Sequence, residues 1–478
     1  MGLEIPKTSF TEEDYQCYAD RLAQETKLLH EWFDQSQLSS VRAVGGFELE
    51  AWLVNNQHSP APINKAFLKR LSHPLVVPEL SKFNIEINVN PQGLADRGLK
   101  LMEQELNAVW SQCQHQAEEL NSSIISIGIL PTVHGSDLTI ENMSTSKRYQ
   151  ALNEQVLKQR HGRPLNLDIV GQQHLQSKHA DVMLEAAATS FQIHLQTSMK
   201  EAQHFYNAAI LCSAPMVAIS ANSPFLFGKK LWEESRIPLF EQAVEVGGYD
   251  GAAHGPIKRV SFGSGYARQS IMECFDENSE HYPVLLPIVT DSEPKKLDHL
   301  RLHNGTIWRW NRPLIGFDED GTPHIRIEHR VVAAGPTLAD QLANAAFFYG
   351  LTEALVYHRL DEEFTYPTFA DCKSNFYEAA RHGIKTKINW LNNNRKNIQR
   401  LVLEDLLPLA DEGLSRLGVN ADDIGSYLTI IEARVRSGQT GSAWQQAYVK
   451  RYGDDMAALT STYIDNQSSG HPVHNWEL

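Results

Sequence analysis

Apolar and polar residues alternate with a period of two in four segments of the chain, and this alternation predicts four β-strands. The segments are residues 47–54 (FELEAWLV), 82–90 (KFNIEINVN), 191–197 (FQIHLQT) and 324–331 (HIRIEHRV). Because side chains i and i+2 of a strand point to the same side, each segment has one apolar and one polar face. Half-buried strands of this kind are typical of antiparallel sheets.

Helical periodicity surrounds these strands and continues from Pro336 to nearly the end of the chain. The pattern predicts an α+β fold with a sheet-containing catalytic region at residues 1–335 and a mostly helical region at residues 336–478. We expect the two regions to pack as one catalytic domain. The clearest early helices are predicted over residues 11–35, with Thr11 as the N-cap, 98–121 and 200–220.

The polar faces of the four strands carry carboxylates, a histidine and arginines, whereas a solvated strand face usually carries Lys, Thr, Ser and Gln. Solvent exposure explains any one such strand alone, and only the combination of four favours an active site. Clustered carboxylates repel one another unless cations bind between them, so this face predicts a site for Mg²⁺ or Mn²⁺. The residues are Glu48 and Glu50, then Glu86, then His194, then Arg326, Glu328 and Arg330.

The composition of the chain indicates its expected compartment and its expected partners. With 58 acidic and 43 basic residues the net charge is −15, and such a surface repels nucleic acid. The five cysteines lack C-x-x-C spacing, which argues against a zinc–thiolate site and fits a reducing compartment. The N-terminal segment has no apolar signal core, and the most apolar stretch is too short to cross a bilayer. We expect a cytoplasmic enzyme that binds small molecules.

Short motifs follow one another between residues 42 and 445. They are G-G-F-E-L-E, an acidic residue seven positions before the strand glutamate in PELSKFNIEINVNP, F-Q-I-H-L-Q, A-N-S-P-F, E-S-R and R-I-E-H-R. Together these motifs resemble the glutamate–cysteine ligases, which belong to the glutamine-synthetase-like carboxylate–amine ligases. The resemblance implies a curved antiparallel sheet that forms an open funnel, is backed by helices and binds Mg²⁺ (or Mn²⁺) and ATP.

The resemblance also implies roles for individual residues. Arg330 is expected to contact the γ-phosphoryl group, and Arg326 on the same face is expected to help bind the nucleotide. Glu328 and Arg330 are the predicted catalytic residues. Arg236, in the motif E-S-R, is expected to hold the α-carboxylate of the amino-acid substrate. The implied metal ligands are Glu48, Glu50, Glu79, Glu86, His194 and Glu328.

The predicted reaction joins a carboxylate to an amine, with glutamate and cysteine as the family's best-known pair. The carboxylate must first become an acyl phosphate, and phosphoryl transfer needs positioned charges more than a protein nucleophile. Accordingly, the sequence has neither G-x-S-x-G nor a Walker A motif. The alternatives are a ligase for another amine, a metal-dependent hydrolase on the same acidic sheet, a guanidine phosphotransferase and a non-catalytic module. The oligomeric state stays open, with a homodimer among the alternatives.

Three further features have two interpretations each. The glycine-rich run Ser261–Tyr266 favours a plain turn over a phosphate loop because no lysine follows it. The aromatic–basic run Trp308–Arg312 is either packing or part of a nucleotide or substrate pocket. For Arg236, the alternative to substrate binding is a surface salt bridge with Glu233 or Glu234.

Overall fold

A computed structural model describes residue 5 and residues 7–246, 258–360 and 366–478. Its strands vary widely in length, and the longest is the first. The strands are β1 (Val44–Asn55), β2 (Val76–Pro78), β3 (Asn84–Asn88), β4 (Gln92–Gly93), β5 (Ser122–Ile125), β6 (Leu165–Val170), β7 (His174–His179), β8 (Phe191–Thr197), β9 (Phe225–Leu226), β10 (Lys229–Lys230), β11 (Val260–Ser261), β12 (Trp308–Arg309), β13 (Asn311–Phe317), β14 (Pro323–His329), β15 (Lys387–Trp390) and β16 (Asn394–Asn397).

The main sheet has eight strands in the order β13-β14-β8-β1-β3-β2, with β4 and β5 paired to the two ends of β1. All of its strand pairs are antiparallel. The 12 residues of β1 therefore pair with β8 and β5 on one side and with β3 and β4 on the other. The remaining strands form two-stranded sheets outside this one.

Helices cover one face of the sheet and form most of the chain after β14. The helix α1 begins directly after its predicted cap, because the Thr11 hydroxyl accepts the backbone N–H of Asp14 at 3.3 Å. The helices are α1 (Glu12–Asp34), α2 (Asn64–Leu71), α3 (Gly98–Glu119), α4 (Lys147–Gln159), α5 (Ala202–Ser220), α6 (Arg236–Ala243), α7 (Met272–His281), α8 (Asp298–Gly305), α9 (Leu338–Leu360), α10 (Phe369–His382), α11 (Ile398–Leu401), α12 (Leu407–Arg416), α13 (Ala421–Ser437), α14 (Gly441–Tyr452) and α15 (Met456–Ser468). In the described ranges, none is both long and apolar enough to cross a bilayer.

The helix α9 fixes the sheet from its apolar side. It packs against α5, α12 and α13 and touches β8. Its Tyr349 hydroxyl lies 3.0 Å from the carbonyl oxygen of Gly46 and 3.1 Å from that of His194, so one side chain ties α9 to both β1 and β8. Gly45 permits this approach, because a Cβ there would lie 2.6 Å from Leu94 Cδ2 and 2.9 Å from the Tyr349 hydroxyl.

The predicted fold class is confirmed: this is an α+β chain with a curled antiparallel sheet backed by helices. The four predicted strands and the three early helices are all present. Several strand pairings lie outside the prediction, among them the following three. The strand β13 contains Pro313, β6 and β7 lie in a segment with mixed polarity, and the hairpin β15–β16 interrupts the helical C-terminal region.

Replacing Gly45 with Ala is expected to lower the free energy of unfolding by about 1–3 kcal/mol, because the new methyl group overlaps Leu94 and Tyr349. Urea denaturation measures the change. Gly93→Ala is the matched control, since a Cβ at Gly93 meets no atom within 4 Å, and it should shift stability by less than about 0.5 kcal/mol. Equal effects of the two substitutions would contradict this account of the contact between α9 and β1.

Candidate active site

Antiparallel pairing places the predicted polar residues in adjacent rows of one sheet face. Glu328 of β14 lies opposite His194 of β8, and His194 lies opposite Gly46 of β1. One row further, Glu48 lies opposite Gln192. Directly opposite residues of antiparallel strands point to the same face, so side chains 134 residues apart in the sequence become neighbours. Gly46 leaves space in the row beside the His194 imidazole.

Three of these side chains form a compact group. Glu48, His194 and Glu328 each offer one ligand atom, and these atoms lie within 4.8 Å of one another. His194 Nε2 is 3.4 Å from Glu48 Oε1 and 3.9 Å from Glu328 Oε1, yet it is buried without a hydrogen-bond partner among the described residues. Burial lowers the pKa of His194 to about 4. Its imidazole is therefore neutral near pH 7, which is the form that binds metal ions.

A second group of carboxylates lies along β1 and β3. Glu50 is directly opposite Glu86, and the side chain of Glu86 is hydrogen-bonded to that of Glu79. Burial and, next, the charge of Glu48 raise the pKa of Glu86 to about 7. Burial followed by the charge of Glu86 raises the pKa of Glu79 well above its ordinary value. These groups cannot all be ionised unless a cation lies among them.

Glu185 joins the second group, although its sequence context did not single it out. It lies in a 3₁₀-helix at Val182–Ala187, shortly before β8, and it is half-buried. Burial and then the charge of Glu50 raise the pKa of Glu185 to about 8. Because a 3₁₀ segment has no two-residue alternation, the pattern that marked the strand glutamates could not mark this one.

Two arginines hold Glu328. Arg312 of β13 binds it through two parallel contacts, Nε to Oε2 at 2.8 Å and Nη2 to Oε1 at 3.0 Å. Arg330 Nη1 donates to Oε2 at 3.1 Å. Although burial alone would raise the pKa of Glu328, the two guanidiniums hold it well below its ordinary value. Glu328 is therefore ionised near neutral pH. Arg312 is a residue of the site, which the sequence analysis identified only as part of the aromatic–basic run.

A neutral amide joins the two carboxylate groups. Arg330 Nη1 also donates to Gln192 Oε1, and Gln192 Nε2 donates to Glu50 Oε1 at 2.9 Å. The backbone N–H of Ser190 donates to the other oxygen of Glu50 at 2.7 Å. The position of the Arg330 guanidinium is thus set by Glu328 on one side and by Gln192 on the other.

Arg326, predicted to bind the nucleotide, lies on the same face two residues before Glu328. It is opposite Gln196 of β8 and half-buried. Its Nε is buried without a hydrogen-bond partner among the described residues. Within the part of the chain that the structure describes, this guanidinium also forms no ion pair with a carboxylate, and it can therefore accept an anionic ligand. Its role stays a prediction.

Arg236 is buried at the start of α6, and only 2% of it is exposed. Its Nη2 donates to the carbonyl oxygens of Val331 at 2.6 Å and Arg330 at 3.2 Å, while its Nε lies 3.4 Å from Glu234 Oε1. The guanidinium stacks over the Trp310 ring at 5.3 Å. The salt bridge with Glu234 that the alternative named is therefore present, but it is buried and not at the surface. Substrate binding by Arg236 stays a prediction.

The other two ambiguous features lie beside the site. Arg309 is buried and donates to Asn278 Oδ1 at 2.6 Å, so it contributes to packing. Trp310 Nε1 donates to Glu241 Oε1 at 2.9 Å. Glu241 and three residues of the turn, Ser261, Gly263 and Ser264, line a cavity of about 750 Å³.

Comparison with solved structures finds ligases, of which one matches with a TM-score above 0.5. The crystal structure of glutamate–cysteine ligase (GshA) from Francisella tularensis in complex with AMP matches with a TM-score of 0.52 and 11% identity, over 92% of this chain and 96% of that one. The bifunctional glutathione synthetase from Pasteurella multocida gives a TM-score of 0.47 and 12% identity, over 93% of this chain and 55% of that one. No curated protein sequence matches the chain.

The match to the family model and the curled sheet with its acidic inner face together define an ATP-dependent carboxylate–amine ligase. Within this class, the model of glutamate–cysteine ligase family 2 matches residues 44–461, and the chain belongs to that family. The sequence resemblance is therefore confirmed.

The donor set fits a divalent cation such as Mg²⁺. Carboxylate oxygens are the ligands that Mg²⁺ prefers, and a neutral imidazole with an unpartnered nitrogen completes a mixed oxygen–nitrogen set. None of the five cysteines belongs to the group, which leaves no thiolate ligands for a zinc–sulfur centre.

In the absence of metal, the protein is expected to lose stability as the pH rises from about 6 to about 8. The folded pKa of Glu86, about 7, exceeds its ordinary value of 4.5, so its stabilising proton is present at low pH and lost through this window. The expected loss from this group is about 1 kcal/mol. Urea denaturation in EDTA at both pH values measures it.

Glu86→Gln cannot ionise and should remove this part of the pH dependence. Glu118→Gln, on the exposed side of α3, is the control and should leave it unchanged. If the free energy of unfolding falls equally in wild type and Glu86→Gln between the two pH values, Glu86 does not lose a proton in this range. The account in which burial and neighbouring carboxylates raise its pKa would then be wrong.

Proposed function

We propose that this chain joins the side-chain carboxylate of glutamate to the amine of cysteine in a reaction that consumes ATP and requires Mg²⁺. The observation that carries the proposal is the group of Glu48, His194 and Glu328 on a sheet face beside Arg330. Membership of glutamate–cysteine ligase family 2 and the structural likeness to a glutamate–cysteine ligase support this choice of substrates.

The carboxylates divide between two cation positions. Glu48, His194 and Glu328 would hold one ion, and Glu50, Glu79 and Glu86 would hold a second, with Glu185 beside it. A bound Mg²⁺ would supply positive charge that offsets the charge of the phosphate groups. The chain contributes fixed ligands, because β1, β3, β8 and β14 are adjacent strands of one rigid sheet.

Arg330 and Arg326 supply the positive charge for the nucleotide. A guanidinium held by Glu328 and Gln192 keeps one orientation before the substrate arrives, so it can stabilise charge on the transferred phosphoryl group without reorganising. Arg326, two residues earlier on the same face, lies where it can bind another phosphate oxygen.

Arg236 orients the amino-acid substrate. It lies close enough to Glu50 and Arg330 for their charges to influence its pKa, which places it at the edge of the carboxylate groups. A carboxylate held there brings the substrate side chain towards the phosphoryl group, giving an acyl phosphate that the second substrate's amine attacks.

Two wider predictions accompany this proposal. Residues 1–335 and 336–478 act as one catalytic domain, because α9 of the second region supports β1 and β8 of the first through Tyr349. The five free cysteines are consistent with a reducing cytoplasm.

Purified protein with ATP and Mg²⁺ is expected to release ADP and phosphate only when a carboxylate and an amine substrate are both present. A panel of amino-acid pairs, read by coupled ADP release and by mass of the product, should give glutamate with cysteine as the fastest pair. Glu328→Gln should reduce turnover by at least about 10²-fold, because it removes a charged group from the phosphoryl-transfer site. Fast turnover with another amine, and not with cysteine, would show that the chain is a carboxylate–amine ligase with a different amine substrate.

The position of an isotope label separates ligation from hydrolysis. With ¹⁸O in the side-chain carboxylate of glutamate, one label atom should appear in the released phosphate, because the acyl phosphate loses that oxygen to phosphorus. Turnover with unlabelled phosphate would rule out activation of the carboxylate and would favour a hydrolase on the same sheet.

Arg236→Lys is expected to raise the KM for the carboxylate substrate strongly, by about 2–3 kcal/mol in transition-state binding, with little change in the KM for ATP. Lysine cannot reproduce the planar fork that binds a carboxylate through two contacts. Arg381→Lys is the matched control, because Arg381 also stacks on a tryptophan, Trp232 at 4.6 Å, but is half-exposed. Near-normal kinetics of Arg236→Lys for every substrate would show that the substrate carboxylate is bound elsewhere.

A further inference from the structure

A cavity of about 300 Å³ lies away from the catalytic face, between β10, the end of α10 and the start of α14. Its wall includes Lys230, Lys385 and Lys450, with Glu233 as the one carboxylate among the lining residues and His382 at the edge. None of the lining residues belongs to the eight-stranded sheet. We call this space the basic cavity.

The basic cavity has more basic than acidic lining residues, although the chain has a net charge of −15. Among the residues that the structure describes, Lys230, Lys385 and Lys450 form no ion pair and no side-chain hydrogen bond. Three lysines thus line one concave surface together with a single carboxylate, Glu233.

The Glu233 carboxylate is held by neutral donors and forms no ion pair with these lysines among the described residues. Its Oε2 accepts the Ser442 hydroxyl at 2.6 Å and the Gln446 amide at 2.7 Å, both on α14. Gly383 packs against it from the other side, where a Cβ would lie 3.3 Å from Glu233 Cγ, and its φ of +56° also favours glycine. The wall of the cavity is therefore built and held by specific contacts.

We propose that the basic cavity binds a phosphate group, either free inorganic phosphate or the phosphate of a small monoester. Lysine binds phosphate as a point charge, and three ammonium groups against one carboxylate leave a local charge that complements a dianion. Thr440, the N-cap of α14, and Ala443 also line this wall, and the Thr440 hydroxyl accepts the Ala443 N–H at 3.2 Å. The volume lies at the small end of the range for ligand sites, about 300–1,000 Å³.

The site is separate from the proposed catalytic function and close to it in the chain. Glu233 lines the basic cavity, while the next residue, Glu234, accepts the Ser223 hydroxyl and lies 3.4 Å from Arg236 Nε. A phosphate in the basic cavity would lie beside the segment that fixes Arg236. Failure of catalysis and failure of this site are measured independently, because the test below reads binding and needs no turnover.

Isothermal titration of the full-length protein with inorganic phosphate and, separately, with glycerol 3-phosphate tests the proposal. The double variant Lys385→Gln/Lys450→Gln is expected to bind at least about tenfold more weakly, because it removes two charge-assisted contacts. Lys65→Gln/Lys69→Gln, two exposed lysines on α2, removes the same charge elsewhere and should bind like wild type. Thermal unfolding of each variant verifies that it is folded.

Arg330→Gln separates the two places where phosphate could bind. Retained binding in Arg330→Gln together with loss in the double lysine variant supports the basic cavity. Loss in Arg330→Gln alone assigns the phosphate to the catalytic face and overturns the proposal, as does unchanged affinity in the double variant or no binding by wild type. Tighter binding of glycerol 3-phosphate identifies a monoester as the ligand, and equal affinities identify free phosphate.

Discussion

Repulsion between buried carboxylates is the constraint on which this structure depends. At one end of the sheet face, Arg312 and Arg330 offset it, and Glu328 stays ionised at 2% exposure. At the other end, Glu50, Glu79, Glu86 and Glu185 have no arginine bound to them among the described residues, and burial raises the pKa of each. At one end of the face the protein's own arginines therefore neutralise the carboxylate, and at the other end the carboxylates need added cations or protons.

The same contacts that fix the fold also position the chemistry. Tyr349 joins α9 to the backbone carbonyl groups of Gly46 and His194. The helix that supports the sheet from its apolar side therefore contacts the backbone of a candidate ligand directly. Arg236 binds the carbonyl oxygens of Arg330 and Val331. The two arginines proposed for the two ends of the substrate are thus connected through one stretch of backbone, and their separation cannot vary independently.

Sequence reasoning predicted the part of the site that follows strand alternation. Alternation with a period of two and antiparallel pairing were sufficient to predict five of its side chains, and the register brings them together. They are Glu48, Glu50, Glu86, His194 and Glu328. It could not assign Arg312 to Glu328, because that contact depends on a hairpin register set by β13, a strand that includes Pro313. Glu185 lies in a 3₁₀ segment, which has no alternation that could mark it. The role of the Gln192 amide depends on its hydrogen-bond partners, which the sequence does not show.

The charge of the face predicts that metal helps a nucleotide to bind there. Glu48, Glu50, Glu79, Glu86, Glu185 and Glu328 face Arg236, Arg312, Arg326 and Arg330, and His194 is neutral because burial lowers its pKa to about 4. If all six carboxylates were ionised, a triphosphate would meet net negative charge at short range, where low polarity strengthens repulsion. Without metal, the raised pKa values of Glu79, Glu86 and Glu185 leave part of that charge neutralised by protons. An acidic residue in place of Gln192, between Arg330 and Glu50, would neutralise the guanidinium, whereas the amide fixes its position and leaves its charge for the phosphate. Cations that displace these protons would add positive charge for the phosphate groups, so metal binding and nucleotide binding are expected to be cooperative.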